Sequence, residues 1–159
     1  MKESTKLILT ELGQRYPVLN GILSDVEAAF MTLKNAYDEG KTLYVCGNGG
    51  SCADCDHIAG ELLKGFLLKR PLHQEFQDKL TVYGEFGAEI GRKLQHGLPA
   101  ISLCAHGAPI SAFANDVDPE LVYAQQVYAY GQPGDILLGI STSGNAKNVT
   151  AAMMVAKAK

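Results

Sequence analysis

The chain has 159 residues, 47% of them hydrophobic and 19% charged, with a formal net charge of −3. That length accommodates one domain with a substantial core. A slightly acidic chain whose Lys and Arg residues never form a run lacks the electrostatic signature of a nucleic-acid binder, and no stretch is apolar over transmembrane length, so neither nucleic acid nor membrane is an expected partner.

The amino-terminal quarter reads as helical. A Ser4 cap opens a segment with apolar Leu7, Ile8 and Leu12 that runs to Gly13, and Pro17 opens a second one. Leu19, Ile22, Leu23, Val26, Phe30, Leu33 and Tyr37 recur at three- and four-residue steps, which predicts an amphipathic helix from about Pro17 to Glu39, ended by Gly40. Residues 1–40 thus form a helical arm suited to a subunit contact, with packing on the chain's own sheet as the alternative.

Thr42 to Val45 is a short apolar run, followed by Cys46-Gly47-Asn48-Gly49-Gly50-Ser51 and a helix from Cys52 to about Lys64 that turns Ile58, Leu62 and Leu63 inward. Arg70-Pro71 interrupts the next stretch and Glu85 to Leu94 suits a helix, so residues 65–97 read as an insertion rather than part of the sheet. Leu98 to Cys104 reads as a second strand and Pro109 to Phe113 as a short helix. Asp118-Pro119-Glu120 caps another helix through Tyr128. Gln132-Pro133-Gly134-Asp135 turns into a third strand, Ile136 to Ile140, and after Ser141-Thr142-Ser143-Gly144-Asn145 a closing helix carries Val149, Met153, Met154 and Val155. Strands alternating with helices predict a single-domain parallel α/β sandwich, its apolar third strand covered on both faces. Three strands fall short of the usual five or six, roughly, and the last helix reaches Lys159 uncapped, so more protein is expected to follow.

Two strand ends therefore lead into small, hydroxyl-bearing loops that open helices. Unpaired amides, the positive end of the helix dipole and Ser or Thr hydroxyls at such a place suit a phosphate group. A single glycine-rich turn is as readily explained by tight-turn geometry; the repetition favours anion binding. Neither loop matches the two familiar nucleotide fingerprints, which favours a small phosphorylated metabolite.

Within the helix after the first loop, His57 and Glu61 stand four apart on one face, as a solvated surface pair also would. Asn115-Asp116 is placed to meet a ligand at the carboxyl end of the second strand unit, or simply to make a turn. Cys52 and Cys55 form a C-x-x-C at a helix start, a redox-like spacing that packing of small apolar side chains explains as well. Cys46 and Cys104 read as core. Four cysteines without a leader-like segment point to reduced thiols and a cytoplasmic setting. His73, His96 and His106 have no partners at ligand spacing, and Met31, Met153 and Met154 lie at core spacing.

Gly47-Asn48-Gly49-Gly50-Ser51, His57, Glu61, Ala114-Asn115-Asp116, Gly131-Gln132-Pro133-Gly134-Asp135 and Gly139-Ile140-Ser141-Thr142-Ser143-Gly144-Asn145 occur in the order of the sugar isomerase (SIS) domain family, and the chain resembles the phosphoheptose isomerases within it. The resemblance implies a flavodoxin-like three-layer sandwich and a cytoplasmic homotetramer with shared active sites. It implies conversion of sedoheptulose 7-phosphate into D-glycero-D-manno-heptose 7-phosphate, the first step toward nucleotide-activated heptose in lipopolysaccharide or other heptose biosynthesis. Moving a carbonyl between C1 and C2 needs a base to carry a proton between carbons, and Glu61 is the candidate. Ser51, Ser141, Thr142 and Ser143 would hold phosphate with Gly49 and Gly50, while Asn48, Asn115 and Asp116 would hold sugar. The resemblance also implies a divalent metal, zinc, held by His57 and Glu61 together with a Gln and a His of a later helix. A non-catalytic SIS protein that binds a sugar phosphate or a protein partner, as replication-initiator-associated relatives do, is the rival reading. Three departures stand out: Ala146 replaces a serine of the second loop, residues 64–97 run longer, and the family's later helix with a Gln and a His has no counterpart before Lys159.

Overall fold

The computed structural model describes residues 1–159 and divides into two compact units, Met1–Lys41 and Thr42–Lys159. In the first unit, helix α1 spans Glu3–Arg15 and α2 spans Leu23–Asp38, joined by a 3-10 turn over Pro17–Ile22. The expected Ser4 cap is not used: the helix starts two residues earlier, after Lys2, with Glu3 in its first turn. Gly13 lies inside α1 rather than after it. A Cβ there would stand 2.5 Å from Asn20 Oδ1, so any larger residue would push the Asn20 side chain aside. The continuous helix expected from Pro17 is broken at Ile22, and α2 ends where Gly40 takes φ of 72°.

The second unit holds three strands, β1 (Leu43–Gly47), β2 (Ala100–Ser102) and β3 (Ile136–Ile140), all parallel in the order β2-β1-β3. Between β1 and β2 run α3 (Gly50–Leu63), α4 (Gln74–Thr81) and α5 (Gly84–Lys93). Between β2 and β3 run α6 (Gly107–Asp116), a 3-10 turn at Pro119–Leu121 and α7 (Val122–Tyr130); α8 (Lys147–Ala158) follows β3. This is an α/β fold.

Strand β1 is central and buried along its whole length, as a parallel strand covered on both faces should be. Alternation sends its side chains to opposite layers. Gly47 faces α3, where a Cβ would come within 2.8 Å of Ser51 Cβ; Gly139, paired with Cys46, faces α8, where a Cβ would come within 2.5 Å of Val149 Cγ1. Tyr44 and Cys46 join Leu103, Val122, Tyr123, Val127, Val149 and Ala152 in the main core. The inward side of α3 is Ser51, Cys55 and Ala59, not the expected Ile58, Leu62 and Leu63, because the close α3–sheet approach admits only small residues; Leu63 is 53% exposed.

Other expectations shift as well. Strand β3 is an edge in this order, so its residues are only partly covered. Met153 and Met154 are exposed on α8 instead of filling the core, Met154 by 66%. Residues 65–97 stay outside the sheet, as expected, but contain a helical hairpin, α4 against α5, plus an antiparallel bridge between Pro71 and Gln95. Asp118 caps the turn at Pro119, accepting from the Glu120 amide at 2.7 Å. Asp135 fastens the turn before β3 to β1, with one carboxylate oxygen accepting from Thr42 N (2.9 Å) and the other from Gln132 N (2.8 Å).

Candidate functional site at the paired loops

The backbone at Gly49 has φ 57° and ψ −121°, a conformation that side chains strongly resist, and it lets α3 begin one residue later. The loop is thus shorter than its composition suggests: Cys46 and Gly47 complete β1, while Gly50 and Ser51 form the first turn of α3. The first amides of a helix lack a full set of intrahelical acceptors; here Ser51 N donates to Asn48 O and Cys52 N to Gly49 O, each at 3.1 Å, turn-type bonds with which an anion at this helix start would compete. After β3, Gly144 takes φ of 70°, and Ser143 Oγ accepts from Asn145 N at 3.2 Å while Asn145 Nδ2 donates to Ser143 O at 2.9 Å. That second loop is self-braced before it enters α8.

Both loops open on one cleft of about 190 Å³, lined by Asn48, Ser51, Ile140, Ser141, Thr142, Ser143 and Ala146. Parallel pairing of Gly47 with Ile140 sets the strand ends level, which is why the two loops meet. Asn48 and Asn148 clamp them together through reciprocal amide bonds, Nδ2 of each donating to Oδ1 of the other at 2.9 Å. Asn148 also accepts from Val149 N at 2.9 Å. The spacing of the sequence gave no hint of Asn148, since its partner lies 100 residues away.

His57 and Glu61 do not line this cleft. At 3.6 residues per turn they project from the flank of α3 away from Ser51, Cys55 and Ala59, His57 exposed and Glu61 half-buried. No group of three or more His, Cys, Asp or Glu side chains is arranged to hold a metal. His57 and Glu61 are two donors, fewer than the three protein ligands usual for a catalytic zinc, so a metal there would draw on further ligands.

Asn115 and Asp116 occupy the last turn of α6, not a loop, because the helix runs to Asp116 where only Pro109–Phe113 was expected. Both are exposed, Asn115 Nδ2 donates to Asp116 Oδ1 at 2.8 Å, and neither lines the cleft. Just beyond them, Glu120 pairs with Lys147 at 2.9 Å at the start of α8, and this bond raises the Lys147 pKa.

The four thiols are free. Burial pushes Cys46 and Cys55 up to about 12, with nearby Cys104 adding to both, and burial also raises Cys52. The C-x-x-C therefore lacks the depressed thiol pKa of a dithiol oxidoreductase, despite its helix-start position. Cys104 lies just past β2, partly buried and packed against the core. His106 is oriented by Gln126, whose Oε1 lies 2.8 Å from His106 Nδ1 while its Nε2 donates to Leu103 O and Val122 O.

A parallel sheet whose neighbouring strand ends lead two helix-start loops into one cleft defines an α/β domain, and such a cleft suits an anionic ligand. The comparisons agree. The chain is 36% identical over 157 residues to a phosphoheptose isomerase of Alteromonas mediterranea, covering 98% of this chain and 67% of that protein. It is 40% identical over 120 residues to one of Maridesulfovibrio salexigens, covering 76% and 46%. In three dimensions it is similar to phosphoheptose isomerases of Francisella tularensis (TM-score 0.70, 25% identity, 99% of this chain and 71% of that one) and Neisseria gonorrhoeae (0.63, 26%, 98% and 65%). No family model matches. The chain belongs to the phosphoheptose isomerase family. It spans about half the length of several curated relatives it matches.

Proposed function

We propose that the chain supplies the phosphate grip and proton shuttle of a cytoplasmic sugar-phosphate aldose–ketose isomerase acting on sedoheptulose 7-phosphate. The observation that carries this reading is the single cleft shared by the two loops. Ser51, Ser141, Thr142 and Ser143 hold the phosphate with the first amides of α3, Gly49 and Gly50 keep the backbone open to it, and Asn48 meets the sugar at the rim. Asn115 and Asp116 bind hydroxyls from the end of α6.

Measured along the helix axis, the spacing asks for a long substrate, one that also passes from the cleft toward the outward flank of α3. Ser51 to His57 spans roughly 9 Å along α3, and Ser51 to Glu61 roughly 15 Å, at about 1.5 Å per residue. Helical side chains lean toward the N-terminus, which shortens both gaps. The eight bonds between phosphorus and C1 of an extended seven-carbon sugar phosphate reach about 10 Å, judged from ordinary bond lengths. A three-carbon sugar phosphate would leave its carbonyl well short of Glu61.

Glu61 takes the proton from one carbon and returns it to the neighbouring one, and His57 polarises the oxygen that gains enediolate charge. Because both sit on the outward flank of α3, a homotetramer with sites shared between subunits suits them. Leu7, Ile8 and Val18 of the first unit are largely exposed, which suits the arm for that assembly.

An assay on sedoheptulose 7-phosphate with the full chain tests the reading. Wild type turns over, and Glu61→Gln loses about 10²- to 10⁴-fold, the usual worth of a positioned base. Equal rates remove Glu61 from its role; phosphate binding without turnover would favour the non-catalytic alternative.

A further inference from the structure

The helical hairpin that residues 65–97 add to the domain buries almost nothing of its own. Helix α4 has no buried residue, and α5 buries only Gly87 and Gly91, the two glycines that face α4. A Cβ on Gly87 would stand 2.0 Å from Leu80 O, and one on Gly91 would lie 3.5 Å from Gln77 Cα, so glycine lets the two helices meet backbone to backbone. Helices of eight and ten residues are marginal in water unless an apolar face is covered. The stem is nonetheless firm. Arg70 donates to His96 O at 2.9 Å and to Leu62 O at 2.5 Å, His96 N donates to Arg70 O at 2.6 Å, and Gly65 N donates to Gln95 Oε1 at 3.2 Å.

At 3.6 residues per turn, Phe76 and Leu80 of α4 fall on the same side of the glycine seam as Phe86 and Ile90 of α5. Leu80 and Ile90 are half-buried along the seam, while Phe76 is 50% exposed and Phe86 71%. At the tip, Val82 and Tyr83 are 77% and 75% exposed. Counting about 200 Å² for a whole aromatic side chain, Phe76, Val82, Tyr83 and Phe86 together expose roughly 500 Å². An apolar patch of that size marks an interaction site. Charge edges it on both sides: Lys79 pairs with Glu75 at 2.6 Å along α4, and Lys93 pairs with Glu89 along α5.

We propose that this face docks a second copy of the chain, hairpin against hairpin about a two-fold axis, as a four-helix contact. Charge and size select that occupant. Each rim carries both signs, so two copies can set acid against base, whereas a partner of strong single-sign charge would meet repulsion along each rim. The largely exposed side chains of Lys79 and Lys93 bring the apolar area close to the ~800 Å² per partner that a stable complex buries. Helix α3 runs from Gly50, at the carboxyl end of β1, to Leu63, and Leu98 N donates to Leu62 O at 2.9 Å just before β2. The hairpin is therefore rooted at the amino ends of the strands, opposite the cleft, and its contact leaves phosphate binding untouched. It adds to the arm-borne assembly proposed above and depends neither on that assembly nor on the isomerase reading.

Sedimentation velocity on the full chain, paired with hydrogen exchange read by mass spectrometry at low and high protein concentration, tests the contact. The expected result is a species larger than the monomer, with the amides of residues 74–93 more protected at the higher concentration. Phe86→Glu should raise the dissociation constant of one association step by about tenfold or more, while its far-UV circular dichroism and its affinity for inorganic phosphate match wild type. Ile8→Glu, on the arm, is the comparison. A monomeric wild type overturns the proposal, as does an assembly that Ile8→Glu disrupts and Phe86→Glu leaves intact. An assembly lost only in Phe86→Glu supports it and counts against the arm instead. Should Phe86→Glu lose its helical signal, Val82→Lys, at the tip between the helices, replaces it. Wild-type exchange at residues 74–93 that ignores concentration overturns the contact whatever the variants do.

Discussion

Asn48, at the tip of the first loop, and Asn148, in the first turn of α8, bond each other through both amides at 2.9 Å. This bridge fixes the gap between the two cradles more directly than the sheet does, since the strands end at Gly47 and Ile140 and leave the loop tips free. Truncating Asn148 removes the clamp while leaving every hydroxyl that lines the cleft. With a net worth of about 1 kcal/mol per hydrogen bond, Asn148→Ala should weaken binding of inorganic phosphate by about 5- to 30-fold in a calorimetric titration. Unaltered affinity would mean that the loops keep their spacing without the bridge.

Ala146 lines the cleft, at the position where the family resemblance implies a further serine. Ala146→Ser offers the phosphate one more hydroxyl donor without adding bulk beyond a single oxygen. The expected gain is about 0.5–1.5 kcal/mol, or roughly 2- to 12-fold in Kd, measured in the same titration. A loss of affinity would show that the cleft holds its anion away from the start of α8.

Gly47 is the pivot between β1 and the first loop. An added Cβ would meet Ser51 Cβ at 2.8 Å and the carbonyl oxygens of Ile140 and Ser51 at 3.0 Å, none of which is a flexible side-chain end. Gly47→Ala should therefore cost about 1–3 kcal/mol of stability, read from urea unfolding, and lower phosphate affinity as well. A variant as stable as wild type would contradict the close α3–β1 approach.

The buried thiols give stability a pH dependence. Cys46 and Cys55 are pushed up from 9.0 to about 12, chiefly by burial, and Tyr44 and Tyr123 are raised by burial too. Between about pH 9 and 12 the folded thiols keep protons that the unfolded chain has released. Their contribution is fully present below the unfolded pKa and is lost as pH rises through the folded one. Unfolding free energy should thus fall across this window, and the slope should be shallower for Cys55→Ala. A pH-independent stability from 9 to 12 would refute the assignment.

The loops were legible because strand, small-residue turn and helix are adjacent in the chain; what they share was not. The edge position of β3 follows from the order β2-β1-β3, a matter of topology that an apolar run such as Ile136–Ile140 does not encode. Helix α4 escaped notice because it is nearly all polar, held by pairs such as Gln74 with Asp78 (2.8 Å) and Lys79 with Glu75 (2.6 Å) more than by an apolar stripe. Asn115-Asp116 reads as a ligand contact or a turn, yet the helix started by Gly107 runs through both. The Asn48–Asn148 bridge and the bond from Cys104 to Gly47 O join residues dozens of positions apart, and local periodicity carries no trace of such pairs.

The central claim is that one phosphate sits between the two loops. Recording backbone amide resonances while inorganic phosphate is titrated into the protein tests it most directly. The account predicts saturable shifts concentrated at Gly49, Gly50 and Ser51 and at Ser141 to Gly144, following one common dissociation constant. Shifts confined to one loop, or clustered elsewhere on the chain, would contradict it.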